Sequence, residues 1–270
     1  MNDQSRRIGL LAGLGEVPVY FADRAMHNGI RIVSVAFTDE IHSQLMPFVE
    51  RGYFIGLGKM GKIFQTFRDE GITDLVMLGK VDKSVIFRPE LFDLRALKVL
   101  KQLVTREDKT LLLAAIHEME REGFHVLDQR EILTELFPAE GQLTRRKPSK
   151  QEMEDIRFGL PIAKQLADME IGQTIVVKNK TVVAVEAIEG TDRALERGCE
   201  LSGGKCVVVK VSRTGQDYRY DVPGIGPRTL ELMAEGGASV LALEAGGIMV
   251  VDQPKVVEMA DRADIAMVCV

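Results

Sequence analysis

The first half of the chain is a succession of short apolar runs separated by segments with helical periodicity. The runs RIGLLA, IRIVSVAF and TDLVMLG, within residues 7–79, are typical of strands that are buried on both faces. Between them, residues 56–71 place apolar side chains at helical spacing and end in a glycine. Because strands that alternate with helices pair in parallel, we predict a doubly wound α/β sheet in an N-terminal domain, residues 1–136.

The second half is organised differently. Residues 137–150 (FPAEGQLTRRKPSK) combine two prolines, a glycine and five charges without periodicity, which predicts a linker between domains. Ser149 begins a helix with a capping box, since a glutamate follows three residues later. Two β-branched runs flank Asn179 and Lys180, which predicts a hairpin. We therefore predict a C-terminal α/β domain over residues 151–270.

Composition excludes several classes of protein. The chain has 270 residues, of which 46% are hydrophobic, which is enough for a sizeable core. Its formal net charge is -5, and the sequence offers no basic face that would bind a nucleic acid. Its three cysteines lack metal or disulfide spacing, and no apolar run reaches roughly 18 residues, so we expect a cytoplasmic protein. The four histidines are scattered, and GxSxG, HExxH and CxxC are absent, which argues against a serine triad or catalytic zinc.

Glycine-rich turns follow two of the predicted N-terminal strands. Gly13 and Gly15 lie between a strand and a helix, where backbone amides can receive a phosphate. The spacing is not a complete GxGxxG, and a close-packed turn without a ligand explains it equally well. Gly79 and Lys80 end the third strand, where open α/β sheets bind ligands, although Lys80 could simply face solvent. These four residues are the predicted N-terminal substrate contacts.

Two C-terminal blocks concentrate carboxylates at turns and strand ends. They are AVEAIEGTDRALERG (184–198) and GQDYRYDVPGIGP (215–227), and their acidic side chains suit a hard cation such as Mg²⁺. In the first block, Thr191 is the predicted N-cap of a helix that ends at Gly198. Asp192 would also be explained by the dipole of that helix.

The second block alternates acidic and basic side chains. An extended strand would project Asp217, Arg219 and Asp221 from one face. Surface ion pairs of little energetic consequence are the alternative explanation for these three residues. Neither alternative accounts for the clustering of five carboxylates beside tight glycine turns, which are Glu186, Glu189, Asp192, Asp217 and Asp221. We therefore expect metal or phosphate chemistry here.

The two blocks, together with AGLGEVP near the start and MEIGQTIVV at 169–177, resemble the LpxI-type UDP-2,3-diacylglucosamine pyrophosphatases of lipid A biosynthesis. The resemblance extends nearly from end to end. It implies an N-terminal Rossmann-like domain followed by a C-terminal α/β domain. It also implies a Mg²⁺-dependent hydrolase that cleaves UDP-2,3-diacylglucosamine to UMP and 2,3-diacylglucosamine 1-phosphate (lipid X).

The metal would be held in the C-terminal domain. We expect Asp221 to be the essential ligand and a catalytic residue. Asp217, Glu189 and Asp192 are the next candidates, as further ligands or as bases that orient the attacking water, and Asp217 is also a candidate catalytic residue.

The remaining candidates would act on the phosphates. Lys210 and Arg219 are the predicted catalytic cations that stabilise charge on the phosphoryl oxygens. Thr191 and Gln216 are the predicted hydrogen-bond donors to the substrate.

Other functions stay open at this point. A non-catalytic protein that binds a lipid or nucleotide sugar is one alternative. A nicotinamide-dependent enzyme is another, against which the incomplete GxGxxG argues. A lipid substrate implies peripheral contact with the inner membrane, but no amphipathic basic helix announces it. A homodimer is also left open.

Overall fold

The computed structural model describes residues 6–81, 88–101 and 108–270. The chain divides into two compact units, Met1–Ile132 and Leu133–Val270. The strands of the first unit are β1 (Arg7–Ala12), β2 (Arg31–Ala36), β3 (Arg51–Phe54), β4 (Asp74–Leu78) and β5 (His125–Val126). Its helices are α1 (Val17–His27), α2 (Asp39–Leu45), α3 (Met60–Asp69), α4 (Leu94–Lys101), α5 (Asp108–Arg121) and α6 (Gln129–Ile132).

The first unit is built on a five-stranded parallel sheet of order β3-β2-β1-β4-β5. From their second residue onward, β1 and β2 are completely buried, as their uninterrupted apolar runs predict. The strand order reverses between β1 and β4, and such a reversal is where open α/β sheets bind their ligands. The predicted N-terminal α/β sheet is confirmed.

The second unit contains more elements. Its strands are β6 (Gly141–Gln142), β7 (Thr174–Lys178), β8 (Thr181–Val185), β9 (Val207–Lys210), β10 (Gly224–Ile225), β11 (Val240–Leu243), β12 (Met249–Val250) and β13 (Ala266–Cys269). Its helices are α7 (Lys150–Asp168), α8 (Thr191–Ser202), α9 (Pro227–Glu235) and α10 (Gln253–Arg262).

A six-stranded mixed sheet of order β6-β13-β11-β9-β7-β8 forms the centre of the second unit. β9, β11 and β13 are parallel, whereas β7 runs antiparallel to both β9 and β8. The ends of β8, β9 and β11 and the start of β7 therefore meet at one edge of the sheet. We call this the carboxyl edge.

Both faces of this sheet are covered. Helix α7 packs Ile156 and Ala163 on one face, and α8, α9 and α10 pack Leu195, Met233 and Val256 on the other. These apolar contacts fix the helices, and therefore the loops at the carboxyl edge, relative to the strands. No helix in the described ranges is long and apolar enough to cross a membrane.

Two local expectations are confirmed in the second unit. Ser149 caps α7 and forms the predicted capping box with Glu152. β7 and β8 form the predicted hairpin, and its turn residues Asn179 and Lys180 have φ values of 51° and 54°.

Residues 137–150, which the sequence predicts to be a linker, lie inside the second unit. Within this segment, β6 pairs antiparallel with β13. The hydroxyl of Thr144 accepts a hydrogen bond of 2.8 Å from the backbone amide of Met267. A two-residue strand is too short to produce a periodic pattern. The prolines and charges of residues 137–150 therefore indicate a linker, although the segment belongs to the second unit.

Helix α8 is also longer than predicted. It continues through Gly198 to Ser202 and is closed by Gly203, with a φ of 67°. A Cβ at Gly198 would lie 2.5 Å from a methyl group of Val176, so this glycine lets α8 approach the sheet closely. The glycine is required by packing and does not end the helix.

Candidate functional site

Four segments bring polar side chains to the carboxyl edge. Thr174 begins β7 directly opposite Lys210, which ends β9. Glu186 follows β8, and Glu244 follows β11. Because β7 is antiparallel to its neighbours, residues from both termini of strands meet here.

Lys210 lies beneath this edge, with only 4% of its surface exposed. Its ammonium donates hydrogen bonds of 3.0 Å to the hydroxyls of Thr174 and Thr191. Burial lowers the pKa of Lys210, against the attraction of the carboxylates of Glu186 and Asp192. The structure therefore places Lys210 behind Thr191 as a buried cation.

Thr191 is the first residue of α8 and is not the N-cap that the sequence predicts. The N-cap is Gly190, with a φ of 81°, and no side chain caps the helix. The hydroxyl of Thr191 instead donates a 2.7 Å hydrogen bond to Glu186, whose other carboxylate oxygen lies 4.0 Å from the ammonium of Lys210. This hydroxyl therefore connects the ammonium of Lys210 with the acidic loop, residues 186–190, that follows β8. Amides at a helix N-terminus that lack a side-chain cap can receive an anion.

Asp221 lies in a second group of polar contacts. Its Oδ2 accepts hydrogen bonds of 2.8 Å from Arg213 and 2.9 Å from the amide of Gln216. Gln216 also donates to the backbone carbonyl of Asp221 at 2.5 Å. A charged guanidinium and one amide contact therefore hold this carboxylate, and a second amide contact holds the backbone of the same residue.

The remaining predicted residues of the second block adopt a turn. Residues 217–220 lie outside the described strands, so the predicted strand alternation of Asp217, Arg219 and Asp221 is wrong. Arg219 folds back on Asp217, with hydrogen bonds of 2.9 and 2.7 Å to its two carboxylate oxygens. A turn allows an acidic and a basic side chain two residues apart to form an ion pair with each other. The alternation of charges in the sequence does not distinguish such a turn from a strand.

Of the first block, Glu189 also pairs with an arginine. Arg197 of α8 donates a 2.5 Å hydrogen bond to Glu189 and thereby lowers the pKa of that carboxyl group. Asp192 lies in the first turn of the same helix. Both carboxylates lie on the segment that carries Thr191.

The chemistry of Asp221 fits a magnesium ligand. Mg²⁺ is usually bound by one or two carboxylates together with water and substrate phosphates. The hydrogen bonds to the Asp221 carboxylate converge on Oδ2, and 39% of the side chain is exposed. Across residues 6–81, 88–101 and 108–270, no three Asp, Glu, His or Cys side chains group closely enough to hold a metal ion. The four predicted ligands thus do not form one cluster.

Sequence reasoning did not identify Glu244. Its carboxylate accepts 2.7 Å hydrogen bonds from the backbone amide and the hydroxyl of Ser212, and a 2.6 Å bond from Lys164. Burial by itself would raise the pKa of Glu244, but these hydrogen bonds outweigh it and lower the pKa. Glu244 thus anchors the segment after β9 that carries Arg213. Its position directly after an apolar strand was the available signal.

The predicted N-terminal residues lie in the first unit. Gly13 follows β1 and Gly79 follows β4, and the two turns join through reciprocal 2.7 Å backbone hydrogen bonds between Leu14 and Lys80. A Cβ at Gly13 would lie 2.4 Å from the carbonyl oxygen of Lys80, so close backbone approach requires glycine there. Gly15 has a φ of 109°. The structure brings these turns together where the strand order reverses.

A surface cavity of about 710 Å³ lies elsewhere in the second unit. It is lined by the C-terminal ends of α8 and α9, including Cys199, Gly204 and Glu235. None of the predicted site residues lines it. The chemistry at the carboxyl edge is therefore separate from this cavity.

Comparison with known proteins assigns both units. The LpxI N-terminal domain family matches residues 7–136, and the LpxI C-terminal domain family matches residues 139–268. The UDP-2,3-diacylglucosamine pyrophosphatase LpxI of Caulobacter vibrioides is 34% identical over 269 residues, covering 95% of this chain and 94% of that protein.

The chain belongs to the LpxI family. The family resemblance of the acidic blocks is thereby confirmed. Among solved structures, glycinamide-RNase-transformylase T from Mycobacterium tuberculosis is 15% identical, with a TM-score of 0.25 over 68% of this chain and 44% of that one. That score is too low to indicate a shared fold.

Proposed function

We propose that this protein hydrolyses the pyrophosphate bond of UDP-2,3-diacylglucosamine in a Mg²⁺-dependent reaction of lipid A biosynthesis. Water adds to one phosphorus and the bond to the bridging oxygen breaks, which yields UMP and 2,3-diacylglucosamine 1-phosphate (lipid X). The observation that carries this proposal is the end-to-end similarity to the Caulobacter pyrophosphatase.

Asp221 is the proposed protein ligand of the magnesium ion. When bound, Mg²⁺ supplies positive charge that neutralises the pyrophosphate and makes phosphorus more susceptible to attack. The exposed carboxylate of Asp221, held by Arg213 and Gln216, supports this role. Asp217, Glu189 and Asp192 remain proposed further ligands or groups that orient water.

Cations and donors at the carboxyl edge are proposed to bind the phosphates. The first amides of α8 lie where phosphate oxygens can accept hydrogen bonds. Thr191 is a proposed donor that would have to exchange its hydrogen bond to Glu186 for one to the phosphate. Lys210 contributes positive charge from beneath Thr191, and Arg219 contributes it from its pair with Asp217. Gln216 is the remaining proposed donor, and it would have to exchange one of its two hydrogen bonds to Asp221 for one to the substrate.

In the first unit, Gly13, Gly15, Gly79 and Lys80 are the proposed substrate-binding residues. Their turns follow adjacent parallel strands at the reversal of strand order. This position supports ligand binding, since Lys80 is exposed beside the two turns.

The proposed location of the protein follows from its proposed substrate. We propose that the protein acts in the cytoplasm and contacts the inner membrane peripherally, because its substrate is a diacylated lipid. The exposed side chains of Met169 and Ile188, on loops next to the carboxyl edge, support contact with an apolar surface. Co-sedimentation with phospholipid vesicles tests this contact, and native mass spectrometry tests the proposed homodimer by counting subunits.

The activity itself is tested with purified protein and UDP-2,3-diacylglucosamine. We expect release of UMP and lipid X with Mg²⁺, and loss of release after EDTA that is reversed by excess Mg²⁺. Absence of UMP under all metal conditions would contradict the proposal. Retention of lipid X without turnover would instead support a non-catalytic lipid-binding protein.

A further inference from the structure

Gln173 lies between the two acidic blocks of the second unit. It immediately precedes β7, and its backbone amide donates a 3.3 Å hydrogen bond to Glu186 of the first block. Its side-chain amide donates a 3.0 Å hydrogen bond to Gln216 of the second block. One residue therefore contacts both groups of polar side chains at the carboxyl edge.

The contact with Gln216 bears directly on Asp221. The side-chain oxygen of Gln216 accepts from Gln173 and from the backbone amide of Arg213, at 3.0 and 3.2 Å. Its nitrogen donates to the carboxylate and the backbone carbonyl of Asp221. Because a backbone amide is always a donor, Arg213 requires the oxygen of Gln216 on its side, which turns the nitrogen towards Asp221.

This pattern of donors and acceptors assigns the orientation of Gln173 as well. The oxygen of Gln216 can bind only a donor, so Gln173 must present its NH₂ group. The backbone of Gln173 is held by the sheet, since the backbone amide of Val211 donates a 2.9 Å hydrogen bond to the backbone carbonyl oxygen of Gln173. The chain of contacts runs from the fixed start of β7 through two glutamine side chains to the Asp221 carboxylate.

We propose that Gln173 is a positioning residue that fixes the Gln216 amide and, through it, the Asp221 carboxylate. The inference rests on the proposed function, for which Asp221 is the central residue. Gln173 acts on turnover through Gln216 and touches neither the metal nor the substrate in this role. Its loss should therefore lower kcat and leave KM nearly unchanged.

Two substitutions of similar size separate positioning from packing. Gln173→Met removes the donor, and we expect kcat to fall about tenfold because the side-chain oxygen of Gln216 then keeps only its contact with the backbone amide of Arg213. Gln173→Glu places an acceptor against the oxygen of Gln216. The two oxygens repel each other, which displaces the Gln216 side chain and weakens its hydrogen bonds to Asp221. We expect kcat to fall roughly a hundredfold in this variant.

The same substitutions in a Gln216→Met background decide whether Gln173 acts through Gln216. We expect the difference between Met and Glu at position 173 to disappear there, because no amide oxygen is left at position 216 to be repelled. Gln151→Met is the matched control, since Gln151 bonds Asn179 at the hairpin turn, and it should keep wild-type kcat. Urea unfolding of each variant should show that all remain folded.

Three outcomes would overturn the inference. They are wild-type kcat in Gln173→Glu, equal losses for Met and Glu at position 173, or a Glu effect that persists in the Gln216→Met background. An inactive wild-type protein would instead contradict the proposed function. In that case a double-mutant cycle of urea unfolding still tests the contact, and zero coupling between Gln173 and Gln216 would overturn it.

Discussion

The ammonium of Lys210 lies 3.0 Å from the hydroxyl of Thr191, under the first turn of α8. Thr191 in turn donates to Glu186, so the buried cation supports the acidic loop from below. We expect Lys210→Met to lower kcat at least tenfold, because the hydroxyl loses a charged donor. Steady-state UMP release measures this effect. Lys164→Met, which disturbs Glu244 instead, shows whether the loss of a partly exposed lysine at this edge has the same effect.

The buried ammonium also predicts a dependence of stability on pH. Burial lowers the pKa of Lys210 in the folded protein, whereas the unfolded chain keeps a value near the usual 10.5. Between those two values the unfolded state binds more protons, so the free energy of unfolding rises with pH through this window. Lys210→Met should show a smaller rise than wild type in urea unfolding between neutral pH and pH about 10. An equal rise in both proteins would contradict a destabilised charge at Lys210.

Gly172 packs against the loop that carries Glu186. A Cβ at this position would lie 2.0 Å from the carbonyl oxygen of Glu186, so Gly172→Ala must displace the loop. We expect a loss of kcat/KM of about tenfold or more, since small displacements of a positioned group are costly. Gly215→Ala is the matched control, because its Cβ would meet nothing within 4 Å. Equal activity of the two variants would contradict this interpretation.

Stability and activity should separate at the hairpin. The buried carboxylate of Asp155 accepts hydrogen bonds of 2.9 and 2.6 Å from the backbone amides of Asn179 and Lys180. Asp155→Ala should lower the free energy of unfolding by about 1–3 kcal/mol and leave kcat unchanged. Glu154→Ala, which removes only an exposed ion pair with Lys180, should cost less than about 1 kcal/mol. Urea unfolding compares the two variants.

The sequence predicts most of the architecture because burial imposes patterns on it. Uninterrupted apolar runs indicate β1, β2 and β4, which are the inner strands of the parallel sheet. Asn179 and Lys180 indicate the hairpin because both adopt the left-handed conformation at the turn. These features depend on neighbours in sequence or on a simple period.

Features that depend on distant contacts could not be predicted in the same way. β6 is held by backbone pairing with β13, and its two residues carry no pattern. Gly198 signals the end of a helix locally, yet its tertiary contact with Val176 places it inside α8. A search of the sequence for charged groups does not find a neutral glutamine. Gln173 is identified only by its hydrogen bonds to Glu186 and Gln216 in the fold.

The second acidic block, residues 215–227, shows what the sequence predicts about the candidate site and what it does not. The carboxylates were identified from their density beside glycine turns, and the structure brings Asp221 together with Arg213 and Gln216. Their pairing was not predicted, because Asp217 and Arg219 meet in a turn and not along a strand. Residue type therefore indicates the candidate site, whereas the contacts that each candidate residue makes depend on the fold.

The central claim is that Asp221 supports Mg²⁺-dependent cleavage of UDP-2,3-diacylglucosamine. The most direct measurement compares UMP release by the wild type, Asp221→Asn and Asp264→Asn in the presence of Mg²⁺, with circular dichroism as a check of folding. Asp264 is the control because 87% of its side chain is exposed. We predict wild-type release by Asp264→Asn and a loss of at least roughly a hundredfold in folded Asp221→Asn. Wild-type UMP release by Asp221→Asn would contradict the account.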